Sequence, residues 1–171
     1  MTPEEQIEII DYQPQFKEDF KRLNMEWISK YFVPESPDLQ QLDYPEEYIL
    51  AKGGKIYLAR LGDMIIGTIT LKKESDTVYE LSKMAVSPEY QGRGAAKLLA
   101  EHLINESQKL GCEMLFLESN QKLIPALNLY KKLGFVEVPI TESPYSRADY
   151  RGEIRFHQVI PVHKSNPISR F

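Results

Sequence analysis

Apolar side chains recur along this chain at two spacings, every second residue and every third or fourth, and the changes between them predict eleven elements. Residues 7–12 read as a strand. Pro14 then stands where a helix can begin, and Phe16, Phe20, Leu23, Trp27 and Tyr31 recur at helical spacing behind it. Residues 33–43 carry Pro34 and Pro37 and predict a loop or a broken helix, after which Pro45 starts a short helix that Gly53-Gly54 ends. Two apolar runs, 55–61 and 64–73, flank Gly62-Asp63, a tight-turn dipeptide, and so predict a hairpin. Another strand covers 78–86. Turn residues fill 87–94, and Ala95, Leu98, Leu99, His102, Leu103 and Leu110 then mark one face of a helix that stops at Gly111. Residues 114–117 predict a buried strand, 124–133 a helix with Pro125 in its first turn and Gly134 beyond its end, and 135–140 a strand. A Ser-Pro-Tyr loop leads to a final strand near 153–160.

The order β-α-α-β-β-β-α-β-α-β-β is that of an α+β sandwich, hairpin-rich in its first half, with one βαβ crossover from 78–86 to 114–117 through the long helix. A doubly wound sheet would alternate throughout. With 171 residues, no internal repeat and no low-complexity linker, one domain over 1–171 is expected. Hydrophobic residues at 42% and charged residues at 27% exclude a disordered tail or a coiled coil. Net charge is −4, which argues against a surface built to grip nucleic acid or an anionic membrane. The single Cys112 can form neither an internal disulfide nor a thiolate zinc site, so it reads as a small buried hydrophobe in a reducing compartment. The first residues lack a basic and apolar leader, and no apolar run approaches 18 residues, so a cytoplasmic protein is expected. His157 and His163 are too isolated to build a metal site.

The most informative spot is the start of the long helix, Gln91-Gly92-Arg93-Gly94-Ala95-Ala96-Lys97. Helices usually begin with a Ser, Thr, Asp or Asn cap and acidic residues in the first turn. Here there is no carboxylate, two cations are present, and glycine and alanine leave the backbone N–H groups uncovered. An anion is the missing partner. A Walker A loop fails, because no second glycine, lysine and hydroxyl come at the required spacing. A dinucleotide fingerprint fails too, since Lys97 occupies the place of its third glycine.

The pattern Gln/Arg-x-x-Gly-x-Gly/Ala is met by Gln91, Gly94 and Ala96. The chain here resembles the GNAT N-acetyltransferase superfamily, whose members wrap the coenzyme A pyrophosphate with this turn. Residues 80–86 and 86–91 look like the family's fourth strand and its lead-in, and 126–135 is similar to the block around its fourth helix. The likeness covers roughly residues 55–138, and the order of elements extends it over almost the whole chain. One departure stands out: Leu123 occupies the place where many members carry asparagine, with Asn120 three residues earlier.

The resemblance implies a mixed, mostly antiparallel sheet flanked by helices, opened by its crossover into a V-shaped cofactor cleft. It implies transfer of an acetyl group from acetyl-CoA to a primary amine of a small molecule or peptide, by direct attack and without a metal. Gln91, Gly92, Arg93, Gly94, Ala95 and Ala96 would hold the pyrophosphate, with Lys97 adding charge. The edge of Met84, Ala85 and Val86 would pair with the pantetheine and polarise the thioester carbonyl. Asn120 and Lys132 complete the expected cofactor contacts. Tyr130 becomes the candidate general acid and Glu80 the base, with Glu118 the runner-up. Tyr130 equally fits a core face with Ile124, Leu127 and Leu133, and His102 fits a packed histidine. Tyr145 and Arg147 fall where related enzymes line the acceptor pocket, and the family's habits allow a homodimer. A non-catalytic acyl-CoA-binding or sensing module, and a nucleotide-phosphate binder, are the competing expectations.

Charge distribution bears on the acceptor. Residues 1–50 hold 12 acidic and 4 basic side chains, and Tyr31, Glu35, Asp38 and Asp43 would suit a cationic amine. Two basic segments, with Lys83, Arg93 and Lys97 in one and Lys122, Lys131 and Lys132 in the other, flank the expected coenzyme cleft.

Overall fold

Seven strands form one sheet in the order β1-β2-β3-β4-β5-β7-β6 in a computed structural model that describes residues 6–156. The strands are β1 (Ile7–Asp11), β2 (Lys55–Leu61), β3 (Met64–Lys73), β4 (Val78–Val86), β5 (Met114–Ser119), β6 (Val136–Val138) and β7 (Tyr150–Arg155). All neighbouring pairs are antiparallel except β4 and β5. The parallel pair is the expected crossover, made through the helix α3 (Ala95–Lys109). The other helices are α1 (Lys17–Tyr31), α2 (Ser36–Asp43) and α4 (Ile124–Leu133).

The sheet carries apolar side chains on both faces. One core packs Ile66, Ile69, Leu71, Leu81 and Leu115 against Leu99 and Leu103 of α3 and Leu127 of α4. The other packs Ile56, Leu58 and Ile65 against Phe20, Leu23 and Ile28 of α1 and Leu42 of α2. At about 25 cal/mol per Å2 of buried apolar surface, filling both faces is what holds the helices to the sheet.

Residues 33–43 depart from expectation, because 36–43 form a regular helix. Pro37 lies in its first turn, where proline is tolerated, and the Asp38 carboxylate accepts the Glu35 N–H at 2.8 Å. The segment after Pro45 is a π-helical turn over Glu46–Leu50. On α3 the apolar face is narrower than the spacing implied: Leu99 and Leu103 are buried, but Leu98 and Leu110 are exposed. Ile124 of α4 is exposed too. The strand expected at 135–140 spans only Val136–Val138, and the last begins earlier, at Tyr150, with 157–160 outside the described residues.

Candidate active site

The crossover pair parts company halfway along. β4 and β5 are paired only from Val78 with Met114 to Glu80 with Phe116. Beyond Glu80, β4 stays with β3 while β5 accompanies β7 up to Ser119 paired with Tyr150. A V opens between them. A bulge accompanies the split: Thr68 faces Ala85 but Thr70 faces Ser82, so β4 carries one extra residue at Lys83–Met84. Lys83 has φ +51°, the left-handed region.

A cavity of about 570 Å3 fills the V. At one end lies the turn into α3. Gly92 and Gly94 have φ +81° and +86°, values that glycine takes without strain. A Cβ on either would meet nothing within 4 Å, so there is open room in front of this backbone. Gly94 supplies no side-chain cap and the first turn of α3 holds no acidic residue. The end of the helix therefore offers free N–H groups and its positive dipole end to the cavity. Gln91 braces the turn by donating its Nε2 to the Val86 carbonyl at 3.3 Å.

Of the expected site residues, Glu80, Met84, Ala85, Val86, Gln91, Gly92, Gly94, Ala95, Ala96, Asn120 and Tyr130 line the cavity, as do Lys97, Tyr145 and Arg147. Arg93 and Lys132 do not. The Arg93 guanidinium lies 5.2 Å from the Tyr90 ring, and Lys132 is exposed in the last turn of α4. Asn120 is engaged within the protein: its Nδ2 donates to the Arg147 carbonyl at 2.7 Å and its Oδ1 accepts the Lys122 N–H at 2.9 Å. His102 packs edge-on to Tyr57 at 4.7 Å, away from the cavity. Cys112 is buried, which pushes its thiol above the ordinary range.

Two buried side chains in the cavity have proton affinities raised by their surroundings. Glu80 is buried, and its carboxyl makes no hydrogen bond or ion pair among the described residues. Burial pushes that carboxyl up to about 7, with Lys72 opposing and Glu118 adding to the rise. Glu118 is occupied instead, accepting the Ser143 hydroxyl at 2.5 Å and lying 3.6 Å from Arg151. Tyr130 packs its ring edge-on to Phe135 at 5.8 Å, and burial raises its phenol, so it stays protonated.

The far side of the cavity holds an ion network that the sequence did not announce. Asp38 is fully buried on α2; it receives two nitrogens of Arg147, at 2.7 and 2.8 Å, and pairs with Lys83. Burial alone would raise the Asp38 carboxyl, but Arg147 and Lys83 outweigh it and hold it at about 2. Glu35 pairs with Arg147 at 3.2 Å, and Asp43 with Lys21 at 2.6 Å. Asp38 and Glu35 are thus engaged by Lys83 and Arg147 inside the protein, whereas the Asp43–Lys21 pair stays at the surface. The one local signal was a lysine in the strand pattern Leu81-Ser82-Lys83-Met84. Trp27, Tyr31 and Phe32 at the end of α1 add an aromatic wall.

Among the described residues no three His, Cys, Asp or Glu come together as a metal site, and no helix is long and apolar enough to cross a membrane. Known proteins share this architecture. A Staphylococcus aureus acetyltransferase of the GNAT family superposes with TM-score 0.79 at 22% identity, over 88% of this chain and 99% of that one. A putative Salmonella typhimurium acetyltransferase, solved with acetyl-CoA, gives 0.69 at 16% identity over 88% and 94%. By sequence, the ribosomal protein bS18-alanine N-acetyltransferase of Escherichia coli K12 is 41% identical over 71 residues, 42% of this chain and 48% of the relative. The matched part thus spans about half of that relative's length. The profile of the acetyltransferase (GNAT) family matches residues 21–135, from α1 to the end of α4, and with the opened β4–β5 pair and the uncapped start of α3 inside that span, the chain belongs to this family.

Proposed function

We propose that the protein transfers the acetyl group of acetyl-CoA to a primary amine of a small molecule or peptide, by direct attack within a ternary complex. The observation that carries this reading is the cavity between β4 and β5, which has free helix N–H groups at one end and an unpaired, buried carboxyl at the other. Acetyl-CoA, when bound, supplies an acyl group already activated as a thioester.

The turn 91–96 fits a pyrophosphate, because its backbone is open and carries no carboxylate to repel one. Lys97 adds positive charge there; Arg93 and Lys132 act at longer range from outside the cavity. Residues 84–86, on the edge that β5 vacates, would pair with the pantetheine as an added strand and donate an N–H to the thioester carbonyl. Asn120 ties the 139–149 connection to the loop between β5 and α4 and leaves one amide hydrogen for the same ligand.

An alkyl ammonium is about three units from neutral at pH 7, which costs roughly 4 kcal/mol. In this reading Glu80 takes that proton and Tyr130 returns one to the departing thiolate. A buried, unreactive Cys112 agrees with direct attack and with a reducing, cytoplasmic setting.

The Escherichia coli relative is named for an alanine of ribosomal protein bS18, which supports including peptides among the acceptors. The deciding experiment fixes acetyl-CoA and varies the acceptor over small amines, lysyl peptides and peptides with N-terminal alanine, monitoring free-thiol release. Amine-dependent release is expected. Tight acetyl-CoA binding with no release across the panel would make the protein a binding module instead.

A further inference from the structure

One buried carboxylate joins three segments of the chain behind the cavity. Asp38 on α2 meets Lys83 of β4, Arg147 of the 139–149 connection and the Glu35 N–H that precedes α2. Tyr145 adds to the cluster, its hydroxyl accepting Lys83 Nζ at 3.3 Å. Of these partners Lys83 stands on the strand that borders the cavity. Its side chain is 2% exposed. It is also the one non-glycine residue with positive φ among the described residues, at the point where β4 has a residue more than β3.

An L residue occupies this region against its steric preference, so the surroundings must hold it there. The ion pair with Asp38 supplies the hold. The alternation of the last three residues of β4 depends on it: Met84 and Val86 pack toward the α3 side of the sheet and Ala85 toward the α1 side. A slip of one residue would exchange those faces and redirect each N–H.

We propose that Lys83, anchored by Asp38, is a positioning residue that locks the β4 bulge and thereby aims the N–H groups of residues 84–86 at the thioester carbonyl. This inference rests on the acetyl transfer proposed above. Glycine would accept the backbone angle but could not anchor it. Methionine would fill much of the space but has no partner on α2. Arg147 remains with Asp38 in either variant, so the buried carboxylate keeps a charged partner, and circular dichroism of each variant checks its fold before the kinetics are compared.

The test compares wild type with Lys83→Met and Lys83→Gly by steady-state kinetics, calorimetry of coenzyme A binding, and the infrared carbonyl stretch of bound acetonyl-CoA, a ketone analogue that cannot transfer its acyl group. In both variants kcat falls about ten-fold or more, approaching the ~10²-fold of a lost oxyanion donor. Coenzyme A affinity, carried by the turn 91–96, is retained, and the carbonyl stretch moves toward its frequency in water. A Lys83→Gly protein with wild-type kcat and an unshifted carbonyl overturns the inference while the transferase reading stands. Failure of the wild-type protein to bind acetyl-CoA at all removes that reading, and this inference with it.

Discussion

At position 80 one carboxyl has opposite effects on activity and on stability. As the proposed base Glu80 must be ionised, so burial that pushes it up to about 7 predicts an acid limb of kcat/KM near neutral pH. Activity rises with pH through that region. Glu80→Gln lowers kcat by about 10²-fold and abolishes the limb, as a pH–rate series will show. The folding linkage has the opposite sign. Glu80 binds its proton more tightly folded than unfolded, so its contribution is full below the unfolded value of 4.5 and is lost as pH rises through about 7. Glu80→Gln is therefore more stable than wild type at pH 8, by up to roughly 3 kcal/mol, and the gain is absent at pH 4, as urea titrations at the two pH values can measure. Tyr130 gives a cleaner separation, because phenylalanine keeps the edge-on contact with Phe135 and removes only the hydroxyl. Tyr130→Phe lowers kcat by roughly 10²-fold and leaves coenzyme A affinity unchanged in calorimetry.

The start of α3 is unfavourable for a helix, and that makes it suited to a ligand. Ordinary helix design would place an acidic residue in the first turn. Ala96→Glu does so and, four residues before Ala100, meets no like charge within α3 at that spacing. The thermal midpoint rises or stays level, while KM for acetyl-CoA rises about ten-fold because the new carboxylate would face the pyrophosphate at its proposed place; thermal melts and kinetics on one preparation read both. The element scale also shows where local patterns mislead. Pro34 and Pro37 read as breakers of 33–43, yet Pro37 sits in the first turn of α2, where a missing N–H costs nothing. Hydrophobic period located α3 and α4 but overstated their buried faces at Leu98 and Ile124, because period records which residues are apolar and not how far the neighbouring sheet extends.

For the whole molecule, the acidic first third is tied to the rest of the fold through Asp38 and Glu35, while Asp43 and Glu46 pair at the surface. Asp38, Glu35 and Asp43 pair with Lys83, Arg147 and Lys21, and Tyr12 donates to Glu46 at 2.7 Å. Asp38, held at about 2, contributes stability that is present above the ordinary carboxylate range and is lost as pH falls toward 2. Arg147→Met leaves Asp38 with Lys83 alone and cuts two elements apart; a loss of about 3 kcal/mol is expected, with acid unfolding moved to higher pH, measurable by circular dichroism. The sequence by itself determined the order of elements, the Gly62-Asp63 hairpin, the crossover and the uncapped turn at 91–97. Those features arise from φ limits and burial periods that act within a short window of chain. The tertiary structure decided which carboxylate is left unpaired, where β4 leaves β5, and why Lys83 is buried. Its contacts with Asp38 span 45 positions, and those of Arg147 with Asp38 span 109, so no local pattern could show them. Charges along a sequence add up regardless of partner, whereas a fold assigns each one a neighbour and a dielectric, and these set its pKa and its role.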